Sequence, residues 1–403
     1  TPVRHNCTVN ETEMTSTHDD ALALQEGDRE ERAPLVSWRL ATAFIALVAM
    51  AVILFWVPAP FVVSSPGPTF NVLGSANGEP MIAIEGTDPT TGEEVQLDDA
   101  QSASVTAKAK PGQGQLRMVT VSESGGPGNR LNFAQLLMAY FDSHSKIVDY
   151  ESVYPSGTTY NEISDAQSAM MRNSQTTSQV AALEYLGWDV PATVTIEGAT
   201  EGSNADGIVQ QGDILQAITT PDGTRHEITH ASLPFTLMRT VPAGSRMTLT
   251  IERDGVVRDV SFDSIAASAT DSGSKLGIYL SVTPELPVDI LDGVGGPSAG
   301  MMFSLGIIDR LTPGDMTGGN AIAGTGTMSF DGQVGPIGGI QQKMWGAHDD
   351  GAQWFLAPSD NCSEVVGHVP DGLRVVKVSN LSEAATAVAT IAEGNGATLP
   401  TCQ

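Results

Sequence analysis

An uncharged apolar run constrains this chain more than any other feature. It covers the eighteen residues Leu40–Val57, and a helix of that length rises about 27 Å, close to the thickness of the hydrocarbon core of a bilayer. Trp38 and Trp56 stand near its ends, where tryptophan favours the interface between membrane and water. A helix buried in a soluble core would keep a polar side, and this run has none. We therefore predict a transmembrane anchor over residues 39–58.

The basic residues around the run predict its orientation. Arg29, Arg32 and Arg39 precede it, and the next basic residue along the chain is Lys108. Positive charge tends to stay on the cytosolic side of a membrane. We therefore expect a cytosolic tail over residues 1–38 and an extracytoplasmic body, held in the cell membrane by this single-pass helix.

Two alternatives concern the N-terminal region. A cleaved signal peptide would also carry an apolar run, but this run is longer than a usual signal sequence and Pro60 makes a poor context for cleavage. An uncleaved anchor is therefore favoured. The sequence opens on Thr1, so Met14 is an alternative start of the natural protein.

Composition excludes several classes of partner. The chain of 403 residues has 47 acidic and only 20 basic side chains, a net charge of −27, so nothing in it would neutralise the phosphates of a nucleic acid. The seven histidines are scattered, and neither a His-Glu-x-x-His motif nor a paired-cysteine spacing occurs. We expect no nucleic-acid partner, no metal and no cofactor.

Beyond the anchor, the texture of the sequence predicts an α+β protein in three parts. Residues 62–190 mix strand-like runs with helical ones and form the N-terminal part of the extracytoplasmic region. Short β runs separated by tight turns fill residues 191–264. Residues 265–403 alternate strands and helices.

One stretch of the middle part resembles a known module. The sequence EGSNADGIVQQGDILQAI, which begins at Glu201, is similar to the Gly-x-x-x-Gly-Asp-x-Ile stretch of bacterial PDZ domains. That resemblance implies a peptide-binding module for unfolded or C-terminally exposed segments, with a degenerate module used as a spacer as the alternative. The Gly-Leu-Gly-Phe loop that binds the peptide carboxylate in such domains is absent, and Leu186, Gly187 and Trp188 are our candidates to replace it.

A glycine-rich turn marks the first candidate catalytic residue. The sequence GGPSAG at 295–300 places Ser298 just before an apolar helical run. Small neighbours let a substrate approach closely, and a helix N-terminus directs free N–H groups at an oxyanion. Gly296 and Ala299 are the candidate oxyanion donors. The same residues fit the Gly-x-Ser-x-Gly turn of α/β-hydrolases, which would need His348 or His368 as the base.

A second glycine-rich motif favours lysine as the base. The sequence GPIGGIQQK ends on Lys343, in the first turn of a predicted helix. An apolar setting disfavours an ammonium ion. For Lys343 to act near neutral pH, its pKa must fall from about 10.4 to near 7, a cost of roughly 4 kcal/mol. Neutral Lys343 could then take the proton of Ser298.

These two motifs resemble the proteolytic domain of the Lon family. The likeness runs from Gly277 to about Pro358 and includes AGTG at 323–326 and PIGG at 336–339. It implies that Ser298 is the nucleophile, Lys343 the general base and Thr325 the residue that orients the lysine. The order of anchor, PDZ module and Lon-like domain is similar to the membrane-anchored PDZ–Lon-like proteases of Gram-positive bacteria, with the PDZ module inserted within the protease domain. A homo-oligomer, specifically a hexamer, is implied by the resemblance alone.

Two further expectations follow. No Gly-x-x-x-x-Gly-Lys-Ser/Thr loop occurs in the sequence, so activity should not require ATP. Cys362 and Cys402 are an even pair in an expected oxidising compartment and are candidates for a disulfide, with two free thiols as the alternative.

We therefore expect an ATP-independent serine endopeptidase. A catalytically inactive peptide-binding sensor or scaffold at the membrane is one alternative, and an esterase of α/β-hydrolase type is another.

Overall fold

The computed structural model describes residues 35–76, 79–84, 104, 106–109, 112–154, 160–267, 273–285, 288–290 and 296–402. Its contacts divide the chain into residues 1–54 and residues 55–403. The helices are α1 (Leu35–Trp56), α2 (Phe133–Phe141), α3 (Tyr150–Val153), α4 (Tyr160–Tyr185), α5 (Leu233–Thr240), α6 (Gly300–Leu311), α7 (Ile340–Asp349), α8 (Cys362–Val365) and α9 (Leu381–Ala392).

The strands are mostly short. They are β1 (Phe61–Asn71), β2 (Ser75–Ala76), β3 (Glu79–Pro80), β4 (Ile82–Ile84), β5 (Gln115–Ser124), β6 (Lys146–Asp149), β7 (Ala192–Ala199), β8 (Asp213–Thr219), β9 (Arg225–Glu227), β10 (Arg246–Arg253), β11 (Val256–Asp263), β12 (Ile265–Ala266), β13 (Ser274–Lys275), β14 (Ile278–Pro284), β15 (Val288–Ile290), β16 (Ala321–Gly324), β17 (Thr327–Met328), β18 (Val334–Gly335), β19 (Trp354–Pro358) and β20 (Arg374–Val378). Together with the helices they make the α+β fold class that the sequence predicts.

The predicted anchor is helical. Helix α1 has 22 residues, and its segment Trp38–Trp56 has a mean hydropathy of 2.2 with no part of it buried. This helix is long and apolar enough to cross a membrane. It stops two residues before Pro58, which has no N–H to continue a helical ladder.

A mixed six-stranded sheet organises the larger part of the body. Its strand order is β20-β19-β16-β5-β1-β6, with parallel pairs from β20 to β5 and antiparallel pairs on both sides of β1. Alternate residues of these strands point to opposite faces. On one face the core is built with α4, α6 and α9, and on the other with α7. The sheet therefore combines chain segments that lie on both sides of residues 192–284.

Residues 192–284 form a separate sheet, which we call the β-domain. Its strands run in the order β11-β10-β8-β7-β14, with β9 added to β8 and α5 packed beside it. The predicted boundaries of 191–264 for this domain and 265–403 for the protease part are wrong at residue 264. Strand β14 returns after β11 and pairs with β7 along its whole length, so the β-domain extends to residue 284. Because β7 and β14 are far apart in the chain, no local sequence pattern indicates that they pair.

Candidate active site

The candidate nucleophile lies in a tightly held turn. Ser298 is the middle residue of a one-turn 3₁₀-helix, Pro297–Ala299, that leads directly into α6. The carbonyl of Ser298 accepts hydrogen bonds from the amide of Gly326 at 2.8 Å and from Thr325 Oγ1 at 3.0 Å. The hydroxyl of Ser174, on α4, donates to the carbonyl of Pro297 at 3.2 Å. Three bonds from two other segments therefore fix the backbone that carries the serine.

The two glycines that flank the Ser298 turn, Gly296 and Gly300, have different structural roles. A Cβ on Gly300 would lie 2.9 Å from the Cβ of Met328, so α6 can approach β17 only with glycine at its start. Gly296 is extended, with φ at −170°, and a Cβ there would meet nothing within 4 Å. Open space beside Gly296 is what an approaching peptide backbone would need.

The candidate base comes from α7. Lys343 is 3% exposed, and its Nζ lies 2.7 Å from Ser298 Oγ and 3.1 Å from Thr325 Oγ1. Gly339 caps the helix with φ at 69°, and its carbonyl accepts the amide of Lys343. This left-handed cap, which glycine adopts without strain, starts α7 three residues before Lys343, whose Nζ reaches the serine.

Burial controls the charge of Lys343. Loss of water around its amine lowers the pKa of Lys343 from 10.5 to about 8. A pKa of about 8 leaves a usable neutral fraction at neutral pH.

Thr325 limits how Lys343 can be oriented. Its single hydroxyl proton is donated to the carbonyl of Ser298, so toward Lys343 its oxygen can only accept. One N–H of the lysine is thereby directed at Thr325. The lone pair of the neutral amine is then free for the proton on Ser298 Oγ. Thr325 thus sets which atoms donate and which accept among Thr325, Lys343 and Ser298.

The C-terminal end of α7 is held by an ion pair between a buried arginine and a partly exposed aspartate. The guanidinium of Arg117, on β5, is fully buried and lies 3.5 Å from the carboxylate of Asp350, the C-cap of α7. Thr69 Oγ1 donates to the same carboxylate at 2.8 Å and accepts from Arg117 Nε at 2.6 Å. The helix that carries Lys343 is therefore fixed at both ends, by Gly339 and by Asp350.

The two predicted oxyanion donors remain a prediction. Ala299 lies beside Ser298, but its amide already donates to the carbonyl of Gly296 at 2.9 Å, because the 3₁₀ turn closes that bond. Ala299 would have to exchange this acceptor for the oxyanion. The residues just before Gly296, at 291–295, lie outside the described ranges.

The two histidines of the hydrolase alternative lie elsewhere. His348 packs edge-on against Trp345, with its Nδ1 3.1 Å from Asp349, and His368 Nδ1 contacts the carbonyl of Val366. The hydrogen bond of Ser298 Oγ is to Lys343, and the described residues include no bond between this serine and a histidine.

The candidate carboxylate loop of the β-domain was misplaced. Gly187 has φ at 88° and ends α4, while Leu186 and Trp188 pack against the large core cluster beside the six-stranded sheet. These three residues form a helix C-terminus; Leu186 lines a separate cavity beside α6 and α9, and none of the three lines the groove between α5 and β14. Their positive-φ glycine between apolar neighbours gives the same local pattern as a binding loop, which explains the error.

A groove of the β-domain instead runs between α5 and the edge strand β14. It has a volume of about 750 Å³, and the turn Leu276–Ile278 forms part of its lining. Gly277 has φ at 71°, and a Cβ there would lie 2.7 Å from the Cβ of Ser203. The sequence signal for this loop was available: an apolar–Gly–apolar step directly before an alternating strand.

The β17–β18 hairpin, which lies outside the β-domain, contributes to that groove. Asp331, from the β17–β18 hairpin, lines it, and its carboxylate lies 3.4 Å from Arg239 of α5. Phe330 of the same hairpin stacks on Phe235 of α5, with ring centroids 5.2 Å apart. The hairpin begins two residues after Thr325, so one short segment touches both the groove and the dyad.

Two further predicted features concern metals and cysteines. Among the described residues, no group of three or more His, Cys, Asp or Glu side chains is placed to hold a metal ion. Cys362 and Cys402 are joined by a disulfide with Cα atoms 5.0 Å apart, which ties the C-terminal segment to α8.

Comparison with known proteins identifies the class of the C-terminal part. Residues 254–390 match the Lon protease (S16) C-terminal proteolytic domain. The relatives include the Lon protease of Brucella suis biovar 1 (strain 1330), which is 32% identical over 155 residues, covering 36% of this chain and 18% of that protein. The Lon protease of Buchnera aphidicola subsp. Schizaphis graminum is 30% identical over 140 residues, covering 32% of this chain and 18% of that protein. The predicted resemblance to the Lon proteolytic family is confirmed for this part of the chain.

The chain spans less than a fifth of the length of these relatives. Solved structures that resemble it include PDZ domains of SdrC-like proteins from Listeria monocytogenes and Listeria innocua. Their identities are 13% and 18%, each with a TM-score of 0.19 and 22% of this chain covered, against 85% and 92% of their own chains.

Proposed function

We propose that this protein is a serine endopeptidase that uses Ser298 and Lys343 and does not require ATP. The observation that carries the proposal is the 2.7 Å contact between Ser298 Oγ and the buried Nζ of Lys343. A buried lysine destabilises the fold through desolvation, and this cost is understandable if its neutral form is needed.

The reaction would proceed through an acyl-enzyme. Neutral Lys343 takes the proton of Ser298 while Oγ forms a bond to the substrate carbonyl carbon, whose π electrons move onto oxygen as the oxyanion. When the oxyanion collapses, the C–N bond breaks and the Lys343 ammonium gives its proton to the leaving amine. A water molecule then repeats the sequence and releases the acyl group as a carboxylic acid.

The proposal also includes the cellular location of the catalytic region and its independence of ATP. The arginines before α1 favour an N-terminus in the cytosol and a catalytic region outside it. The sequence has no P-loop motif that would bind ATP. We expect substrates that are already unfolded, since the sequence lacks this ATP-binding motif. The hexamer implied by the Lon resemblance stays a prediction, testable by light scattering of the detergent-solubilised protein.

The groove of the β-domain would select these substrates. Strand β14 is the last strand of its sheet, so one side of it is open to an added peptide strand. Lys275 and the buried hydroxyl of Ser274 lie at the groove, beside the turn at Gly277. A peptide with a free C-terminal carboxylate would place its charge near Lys275.

The first experiment measures hydrolysis of labelled casein by the full-length protein in detergent, without ATP. Ser298→Ala and Lys343→Met should each abolish activity, and His348→Ala should keep it. Activity that survives Lys343→Met but is lost in His348→Ala would refute the dyad and support a hydrolase. Absence of wild-type activity on unfolded proteins would support the sensor alternative.

A second experiment tests the groove. Fluorescence anisotropy should show binding of a peptide with a free C-terminus and weaker binding of its C-terminal amide. Lys275→Gln should weaken binding of the free acid by about fivefold, the scale of an exposed ion pair, and Lys377→Gln on β20 is the matched control. Equal affinity for acid and amide would contradict recognition of the carboxylate.

A further inference from the structure

Helix α2 presents an exposed apolar face that the proposed chemistry does not use. Its sequence, FAQLLMAYF, has no charged residue, and none of its residues is buried. Leu137, Met138, Tyr140 and Phe141 are between 51% and 78% exposed. At 100° per residue these four side chains span less than half of the helix circumference, so they form one continuous face. We call these four residues the α2 face.

The start of α2 is bonded to the segment that follows the candidate membrane span. The amide of Ala59 donates to the carbonyl of Leu131 at 2.7 Å, and Pro58 forms a bridge with Asn132, the N-cap of α2. Ala59 is only three residues beyond Trp56, the end of α1, and three residues reach about 11 Å at most. The chain therefore keeps the beginning of α2 close to the point where the span ends.

We propose that α2 lies in the interface of the same bilayer that α1 crosses, with the α2 face in contact with lipid. This inference rests on the proposed membrane anchor. A helix that lies in this interface inserts its apolar side roughly 5–10 Å into the boundary between headgroups and acyl chains. Tyrosine suits this depth, since its ring is apolar and its hydroxyl can reach water.

The charges near α2 predict which lipids are needed. Arg130 and Lys146 are exposed beside it, but so are Asp142, Asp149 and Glu151. The guanidinium of Arg130 lies over the ring of Tyr150, 3.8 Å from its centroid. With both signs present, no basic patch faces the membrane. Contact should therefore depend on apolar insertion and persist in vesicles of phosphatidylcholine alone.

The turn after α2 connects this contact to the dyad. The ring of His144 stacks on Trp345 of α7, with ring centroids 3.7 Å apart, and the carbonyl of His144 accepts a bond from Gln342 at 3.3 Å. Gln342 directly precedes Lys343. A membrane-bound α2 would thus hold the catalytic helix at a fixed height above the bilayer.

The test uses the full-length protein with Cys7→Ser, reconstituted in phosphatidylcholine vesicles. A single cysteine, Met138→Cys or Phe141→Cys, carries an environment-sensitive fluorophore. Lipids with a spin label near the headgroup should quench about half of the fluorescence at both positions. The control is Val257→Cys on β11, which has a similarly exposed apolar side chain and should not be quenched by lipid.

Each outcome decides between distinct explanations. Protein that resists carbonate extraction but shows no lipid quenching at 138 and 141 refutes the inference and leaves the anchor intact. Labels protected from both lipid and water, together with cross-links between copies, would make the α2 face an interface between protomers and also refute it. Protein removed from the vesicles by carbonate refutes the anchor and this inference, while casein hydrolysis still tests the dyad separately.

Discussion

The pH dependence of hydrolysis tests the assigned base most directly. Below a pKa of about 8, the active fraction of Lys343 falls tenfold for each pH unit, so kcat/KM at pH 7 should be about one tenth of its plateau. The difference between 10.5 and about 8 corresponds to about 3 kcal/mol in favour of the neutral amine. The structure gives its cause as burial of the side chain.

The assay is kcat/KM for a soluble peptide between pH 6 and 10, with the pH stability of the protein checked in parallel. Activity should rise with pH and level off above about 8. A rise centred near 6.5 would indicate a histidine base. A rise that continues beyond pH 10 would show that Lys343 keeps its ordinary pKa, and either result would refute the reasoning.

Stability should change in the same direction with pH. The pKa of Lys343 is lower in the folded state than in the unfolded state, so between about 8 and 10.5 the unfolded chain binds more protons and stability rises with pH. Below about 8 both states carry the proton, and the full burial cost of about 3 kcal/mol applies. Lys343→Met should therefore gain stability relative to wild type at pH 7, and this gain should shrink toward pH 10.5 in chemical denaturation. A difference that does not vary with pH would contradict the sign.

Three further predictions concern the support of the site. Thr325→Val should lower kcat/KM by about 10- to 100-fold, the cost of leaving a buried donor or acceptor unpaired, and Thr325→Ser should restore most of it in the peptide assay. Arg117→Met should lower the free energy of unfolding by about 1.5–3 kcal/mol, the scale of a hydrogen bond to a charged group, because Thr69 and Asp350 would lose the guanidinium that they contact, and an unchanged Tm would contradict this. Replacing both Cys362 and Cys402 with alanine should lower the free energy of unfolding by about 4 kcal/mol, as expected for a loop of 40 residues. A denaturation midpoint that changes neither with this replacement nor under reducing conditions would refute the prediction.

Ser298 and Lys343 could be proposed as a pair from the sequence because each lies in a short glycine-rich motif and the two motifs together resemble the Lon proteolytic domain. Ser298 and Lys343 each stand at the start of a helix in a glycine-rich turn, and such turns have a short signature. The donor–acceptor order through Thr325 required the structure, since it depends on two segments meeting the carbonyl of Ser298.

The β-domain shows which features could not be predicted from the sequence. Strand β14 pairs with β7 across about 80 residues, and no local pattern encodes that partner. The prediction of Gly187, rather than Gly277, as the glycine of the binding loop has a related origin. Both have a positive φ between apolar neighbours, and only the surrounding tertiary packing separates a helix end from a groove.

The order of strands in the protease sheet has a consequence for how the chain is made. Strand β5 is one neighbour of β16, yet about 200 residues separate them, so β5 has an open edge until β16 emerges. At a synthesis rate of about 5–20 residues per second, this delay lasts roughly 10–40 s. The β-domain is contiguous and can close its sheet during that interval. Ser298 and Lys343 both follow the β-domain in the sequence, so an unfinished chain exposes the unpaired edge of β5 before these two residues can meet.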